Sequence, residues 1–232
     1  MTLTTDEFAN GLTGLIFTII VVYVGIVIAL KYFRYKQKTL LYVGLGWIGM
    51  SSPYMAVSIS FVSYLITGMP LIEVVYFFVA IGLVPMFFML WIAAATEFLY
   101  KEKQLIIFIV FLILNIIIEI YIAFALITNT ELIGIKEGPV DTAWSTTIIG
   151  YFIFVIIIVL ITGLLISVRS IKSPDKEISF KGKFLLVAFI LWSTGSVLDA
   201  ILDFPITRII LMVSSIVFYF GWITPDWLKK RL

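Results

Sequence analysis

Three formal charges fall within ten positions of the stretch "GSVLDAILDFPITRII", residues 195–210: Asp199, Asp203 and Arg208. The chain around them is 62% apolar, with a mean hydropathy of +1.16. At membrane depth a carboxylate or guanidinium costs at least about 2.5 kcal/mol, so such groups face a bundle interior and find partners. Trp192, Ser196, Asp199 and Asp203 recur at steps of four, three and four, which puts them on one helical face. Arg208 is the natural counter-ion. A further carboxylate, Glu119 in "LNIIIEIYIAF", has Asn115 one turn before it and shares a face with it. Groups of this kind can pair with one another, exchange protons or cations, or hydrogen-bond a bound molecule. Two arrangements fit: a polar pocket built from Glu119, Asp199, Asp203 and Arg208, or a charge-paired lock between helices. A lock between helices can also be a switch.

Other chemistry is excluded by composition. The chain has no cysteine and no histidine. Disulfides, thiolate-ligated clusters, histidine-ligated haem, the usual histidine zinc sites and Ser-His or Cys-His nucleophiles therefore do not arise. No nucleophile or metal cluster accompanies the carboxylates, so the chain does not read as an enzyme, and no cofactor or metal is implied. A net charge of +2 gives no reason to expect a nucleic-acid partner.

These residues need elements that hold them in oil. A bilayer core takes roughly 20 apolar residues per helix, and seven segments qualify, at about 11–33, 39–66, 71–98, 105–127, 143–168, 184–204 and 206–224. The expected fold is all-α, a single polytopic seven-transmembrane bundle over residues 1–232. Outer-membrane barrel strands would be about ten residues long and alternating, which these are not. The start, "MTLTTDEFAN", lacks the basic residues of a signal peptide, so the first apolar run reads as a retained span. With the N-terminus outside, 14 of the 16 basic residues fall on the cytoplasmic side, leaving Lys136 and Arg208. The last two spans are separated only at Phe204–Pro205. One broken helix there would give six spans.

In this orientation Glu119 lies about 12 Å and Asp199 about 8 Å below the outer boundary, at about 1.5 Å per residue. The second and third spans run long and contain Pro53, after Ser51 and Ser52, and Pro85, so each is expected to kink. Met86, Phe87, Phe88 and Met89 beside Pro85 form either core or an apolar pocket wall. The outer loop "TNTELIGIKEGPVDTAW" reads as a connector or a lid. The inner loop "SIKSPDKEISFKGK" reads as an ordinary basic loop or a docking segment for anionic lipid or a cytoplasmic signalling partner.

In size and topology the chain is similar to microbial rhodopsins, yet its last span, "ITRIILMVSSIVFYFGWIT", has no lysine for retinal. It is also similar to small sugar transporters of the SWEET type, but without their paired prolines in repeated units. In topology, with no diagnostic motif, it resembles the seven-transmembrane sensor and receptor-like proteins of prokaryotes. That resemblance implies a multi-pass protein of the cell membrane, binding a small apolar or amphipathic ligand in the outer half of the bundle. The alternative is a small secondary transporter using Glu119 or Asp199 to couple protons or cations.

Overall fold

The computed structural model describes residues 3–202 and 205–223. Long runs of Ile, Val, Leu and Phe leave the backbone nothing in a bilayer to bond except itself, which selects helix. In chain order the α-helices are α1 (Thr5–Tyr35), α2 (Lys38–Met50), α3 (Ser52–Thr67), α4 (Glu73–Phe77), α5 (Val84–Leu99), α6 (Gln104–Thr128), α7 (Thr146–Ile171), α8 (Lys176–Leu202) and α9 (Pro205–Trp222). Six helical segments, counting α4 and α5 as one, are long and apolar enough to cross a membrane. The α2–α3 pair, bent by 54°, makes a seventh if it is one span.

The two interruptions have local causes. Pro53 brings no N–H to the Gly49 carbonyl, and the bend falls at Ser51, between α2 and α3. Ser51 Oγ donates to the Trp47 carbonyl, and Ser52 Oγ reaches across to the Ala80 carbonyl, both at 3.2 Å. Between α4 and α5 a π-helical turn, Phe78–Gly82, precedes Pro85, whose missing N–H leaves the Ile81 carbonyl without its usual donor.

The helices close into a ring: α1 packs on α2, α2 on α5, α5 on α7, α7 on α8, α8 on α9, and α9 on α1. α8 and α9 are two antiparallel helices. Ser214 Oγ donates to the Ala188 carbonyl at 2.9 Å, Gly195 faces Leu211, and Gly221 faces Leu185, so residue numbers rise on one helix as they fall on the other. The alternative of one broken helix at Phe204–Pro205 does not describe this pair. α6 stands outside the ring, with only 11% of its apolar window buried.

One departure from an all-helical chain joins α6 to α7. Strands β1 (Gly134–Glu137) and β2 (Asp141–Trp144) pair antiparallel, from Gly134 opposite Trp144 to Glu137 opposite Asp141. Gly138, at φ 81°, begins the three-residue turn in a region that suits glycine. The hairpin is pinned to the bundle. Ser60 Oγ donates to the Pro139 carbonyl at 2.6 Å, and Lys136 Nζ donates to the Leu71 carbonyl at 2.7 Å.

Lipid tails are as apolar as leucine, so helices in a bilayer associate by close packing, with small residues at the seams. Gly25 and Gly44 meet where α1 crosses α2. A Cβ on Gly44 would press on the Gly25 carbonyl and lie 2.7 Å from the Ala29 nitrogen. Backbone cannot swing aside as a side-chain tip can. Gly44→Ala is therefore expected to lower unfolding stability in detergent by about 1–3 kcal/mol, the usual range for overpacking. Gly150→Ala, with nothing within 4 Å of the added carbon, should unfold at the wild-type midpoint or slightly above it.

Candidate functional site

At the hairpin end of the bundle lies a cavity of about 500 Å³. Pro53, Tyr54 and Val57 of α3 line one side, Phe152, Val155 and Ile156 of α7 another, and Val140 to Trp144 of the hairpin close over it. Tyr76 and Val84 from the third span, Met50 from the end of α2, and Trp192 and Ser196 of α8 complete the wall. Asp141, Asp199 and Arg208 supply its charge.

Arg208 is the most buried of these charged groups, at 3% exposure. Its Nε lies 3.5 Å from Asp199 Oδ1, Nη1 donates to the Asn10 carbonyl of α1, and its guanidinium carbon stands 6.0 Å from the Tyr54 ring centre. Asp199 accepts from the Tyr54 hydroxyl at 2.9 Å and from the Thr207 hydroxyl. Four helices thus meet on one ion pair: α1, α3, α8 and α9. Each partner of such a pair in a medium of low dielectric needs the other and the surrounding hydrogen bonds.

The predicted site residues divide into two groups. Trp192, Ser196, Asp199 and Arg208 share the cavity wall. Asp203 lies outside the described residues. Asn115 and Glu119 are elsewhere, on peripheral α6, so the expected meeting of Glu119 with Asp199 does not occur. Asn115 is buried, accepts from the Tyr151 hydroxyl at 2.8 Å and donates to the Phe111 carbonyl at 2.8 Å. Glu119 is exposed on the flank. The i, i+4 spacing puts both residues on one stripe of α6, but that stripe meets α7 across an open cleft of about 430 Å³. Pro53 lines the cavity directly, whereas Pro85 is buried outside it. Met86 points outward, and Phe88 and Met89 are buried away from the cavity.

Several contributors carry no strong sequence signal. Asp141 of the hairpin accepts from the Asn10 amide at 3.3 Å, a contact across 131 positions. Tyr76 accepts from the Thr142 hydroxyl at 3.1 Å. Thr207 shows itself only as the neighbour of Arg208. The turn signal Gly138–Pro139 marks the hairpin's tip. The hairpin's one lysine is partly desolvated: burial holds Lys136 below the ordinary lysine range, and the Glu73 carboxylate draws it part of the way back.

An aromatic layer lies on the far side of Trp192. Trp47 of α2 stacks on Phe218 of α9 with ring centres 3.7 Å apart, Phe218 meets Phe189 of α8 at 5.6 Å, and Phe189 meets Trp91 of α5 at 5.4 Å. All four are at most 1% exposed. Trp192 joins this layer to the cavity, 5.8 Å from Trp47.

Fold and site together describe a helical bundle, with helices long and apolar enough to cross a membrane, that holds a part-polar, partly open cavity at one end. No family model matches the chain, and no curated protein matches it in sequence.

Removing one member of a buried ion pair leaves the other charged in a poor solvent, typically at about 3–5 kcal/mol, whereas replacing both with apolar groups is far milder. Arg208→Leu is expected to lower the unfolding midpoint sharply. The double variant Asp199→Leu/Arg208→Leu should recover most of the loss when both are followed by thermal circular dichroism in the same detergent.

Proposed function

We propose that this chain is a receptor-like or sensory protein of the cell membrane, with its N-terminus outside and its C-terminus cytoplasmic. A small apolar or amphipathic ligand binds in the outer half of the bundle. The observation that carries this reading is the cavity beneath the hairpin, backed by the Trp47–Phe218–Phe189–Trp91 layer. A volume of about 500 Å³ with mostly apolar walls and a few convergent polar groups is the usual form of a small-molecule site. A site closed on the far side by packed aromatics suits a molecule that is sensed more than one that is carried through.

The response follows from the site's connections. A ligand shifts a helix equilibrium only by its differential affinity for two arrangements. Here the bound molecule would touch α3, α7, α8, α9 and the hairpin at once, and the Ser51–Pro53 bend gives α3 a place to move. On this orientation those helices run toward the basic face, where a cytoplasmic signalling partner or anionic lipid headgroups would read the change. The second reading, a secondary transporter, rests on Asp199 as coupling carboxylate and requires the aromatic layer to part. Glu119, outside the cavity, contributes nothing to that route.

Orientation is checked on the cysteine-free background. A membrane-impermeant maleimide added to intact cells should label Glu137→Cys on the hairpin and spare Lys176→Cys at the start of α8. The reverse pattern would overturn the topology.

For the pocket, native mass spectrometry of gently extracted protein should show a discrete bound mass. That mass should be absent from Asp199→Asn and from Ser196→Phe, which fills the cavity without touching the ion pair. Bare protein in all three, with proton- or cation-driven uptake in proteoliposomes, would favour the transporter.

A further inference from the structure

The cavity is covered above and below. Above it the hairpin is tied to α1 through Asn10 and Asp141, to α3 through Ser60, and to the Leu71 carbonyl through Lys136. On the far side Trp192 and the stacked Trp47 and Phe218 fill the bundle. The opening shows in which wall residues are exposed. Among the described residues these are Ala143 on the hairpin, Ile149 and Ile153 on α7, and Val197 and Ala200 on α8. No lining residue of α2, α3 or the third span is exposed. The mouth therefore lies along the seam between α7 and α8.

That seam is shut at one end. Near the connection of the two helices Ser179 Oγ donates to the Ile171 carbonyl at 2.8 Å, and a Cβ on Gly182 would lie 2.7 Å from the Ile171 nitrogen. Farther along, a Cβ on Gly163 would run into the Phe189 ring. Beyond that crossing Phe152, Ile153 and Ile156 of α7, and Ser196, Val197 and Ala200 of α8, line the cavity. α6 does not cover the gap. Thr147 and Tyr151 line the cleft toward α6, and two positions on from each, at about 3.6 residues per turn, Ile149 and Ile153 sit on the opposite side of α7.

Every residue of the rim is apolar. Ile153 is seven positions inside α7 and Val197 five from the end of α8, so both lie about 8–10 Å deep at about 1.5 Å per residue. Facing water, such a rim would be a costly apolar patch. Facing acyl chains it costs nothing, and it admits what is dissolved among them. Inside, Tyr76, Trp144 and Phe152 give apolar walls, and Ser196, Asp199 and Arg208 a polar end. An alkyl chain gains little by leaving lipid for another apolar surface, so retention falls to the polar end.

Building on the ligand pocket proposed above, we infer that the cavity is entered from the side, through the mouth between α7 and α8, by a single-chain amphiphile dissolved in the outer leaflet. Its alkyl chain lies against the aromatic walls, and its polar head reaches the Asp199–Arg208 end. A volume of about 500 Å³ suits one chain with a small head and is too small for a whole two-chain phospholipid.

The test uses the full chain in phosphatidylcholine vesicles that contain hexadecanol with a diazirine at the end of its chain. After irradiation the adducts are mapped by peptide mass spectrometry, with the exposed Ile157 of α7 as the standard for labelling from the bilayer. Adducts are expected on the buried wall residues Val57 and Tyr76. They should be lost in Ser196→Phe, which fills the cavity, and in Ile153→Trp/Val197→Trp, which narrows the mouth from its outer side. Both variants are checked for wild-type helicity. Adducts lost in Ser196→Phe but kept in the double variant would overturn the lateral route and leave the pocket standing. Adducts kept in Ser196→Phe would sink both. If Ile157 is labelled and the wall is not, the lipid-borne ligand falls, and the bound mass in native mass spectrometry then decides whether the pocket falls with it. Phosphatidylcholine bearing the same diazirine chain is run in parallel. Wall labelling as strong as the alcohol's would overturn the single-chain assignment and leave the mouth.

Discussion

A guanidinium cannot shed its proton inside a protein, and in Arg208 it stands almost wholly out of contact with solvent. Much of the hairpin end follows from this constraint. The charge needs a carboxylate, which Asp199 supplies from the neighbouring helix, and further acceptors, one of which is a main-chain carbonyl of α1. Asp199 in turn needs donors for the rest of its oxygens, and these come from α3 and α9. The first, third, eighth and ninth helices are thereby held at one height and one rotation. These directional contacts add to the register that close packing and the small-residue seams already specify.

The same arrangement explains why the cavity lies where it does. Groups committed to an ion pair cannot also fill the space beside it, and the bend at Ser51–Pro53 turns α3 away from the line of α2. The hairpin covers the gap from above by polar contacts to α1 and α3, while Trp192 and the stacked Trp47 and Phe218 fill the bundle on the other side. The result is a cavity with a charged end and an aromatic lining.

Much of this was legible in the residues. Run length marked six membrane-length helices, while the segment 39–66 is the bent α2–α3 pair, a seventh only if it is one span. Pro53 and Pro85 stand beside the two interruptions, and the spacing of Trp192, Ser196 and Asp199 placed them on the face that lines the cavity. The pairing of Arg208 with Asp199 followed from the cost of a lone charge. The same logic applied to Glu119 was misleading, because helical spacing reports which side of its own helix a residue occupies and says nothing of which helix that side will meet. α6 turned out to be peripheral, and its polar stripe looks onto α7. Asp141 was hidden for a related reason: its contact with Asn10 depends on a hairpin that folds back over the bundle from a segment read only as a loop. A turn dipeptide between two four-residue strands is a weak signal beside runs of twenty apolar residues.

The glycine seam between α1 and α2 has a mechanical meaning. Where Gly25 and Gly44 bring two main chains into contact, the helices have no compressible side-chain layer between them. Such a joint transmits displacement without absorbing it, so α1 and α2 form one rigid strut. Any rearrangement started at Asn10, near one end of that strut, must be expressed as rotation of the whole strut or taken up at the bend beyond Met50. On that route the bend at Ser51 is where the displacement would be absorbed.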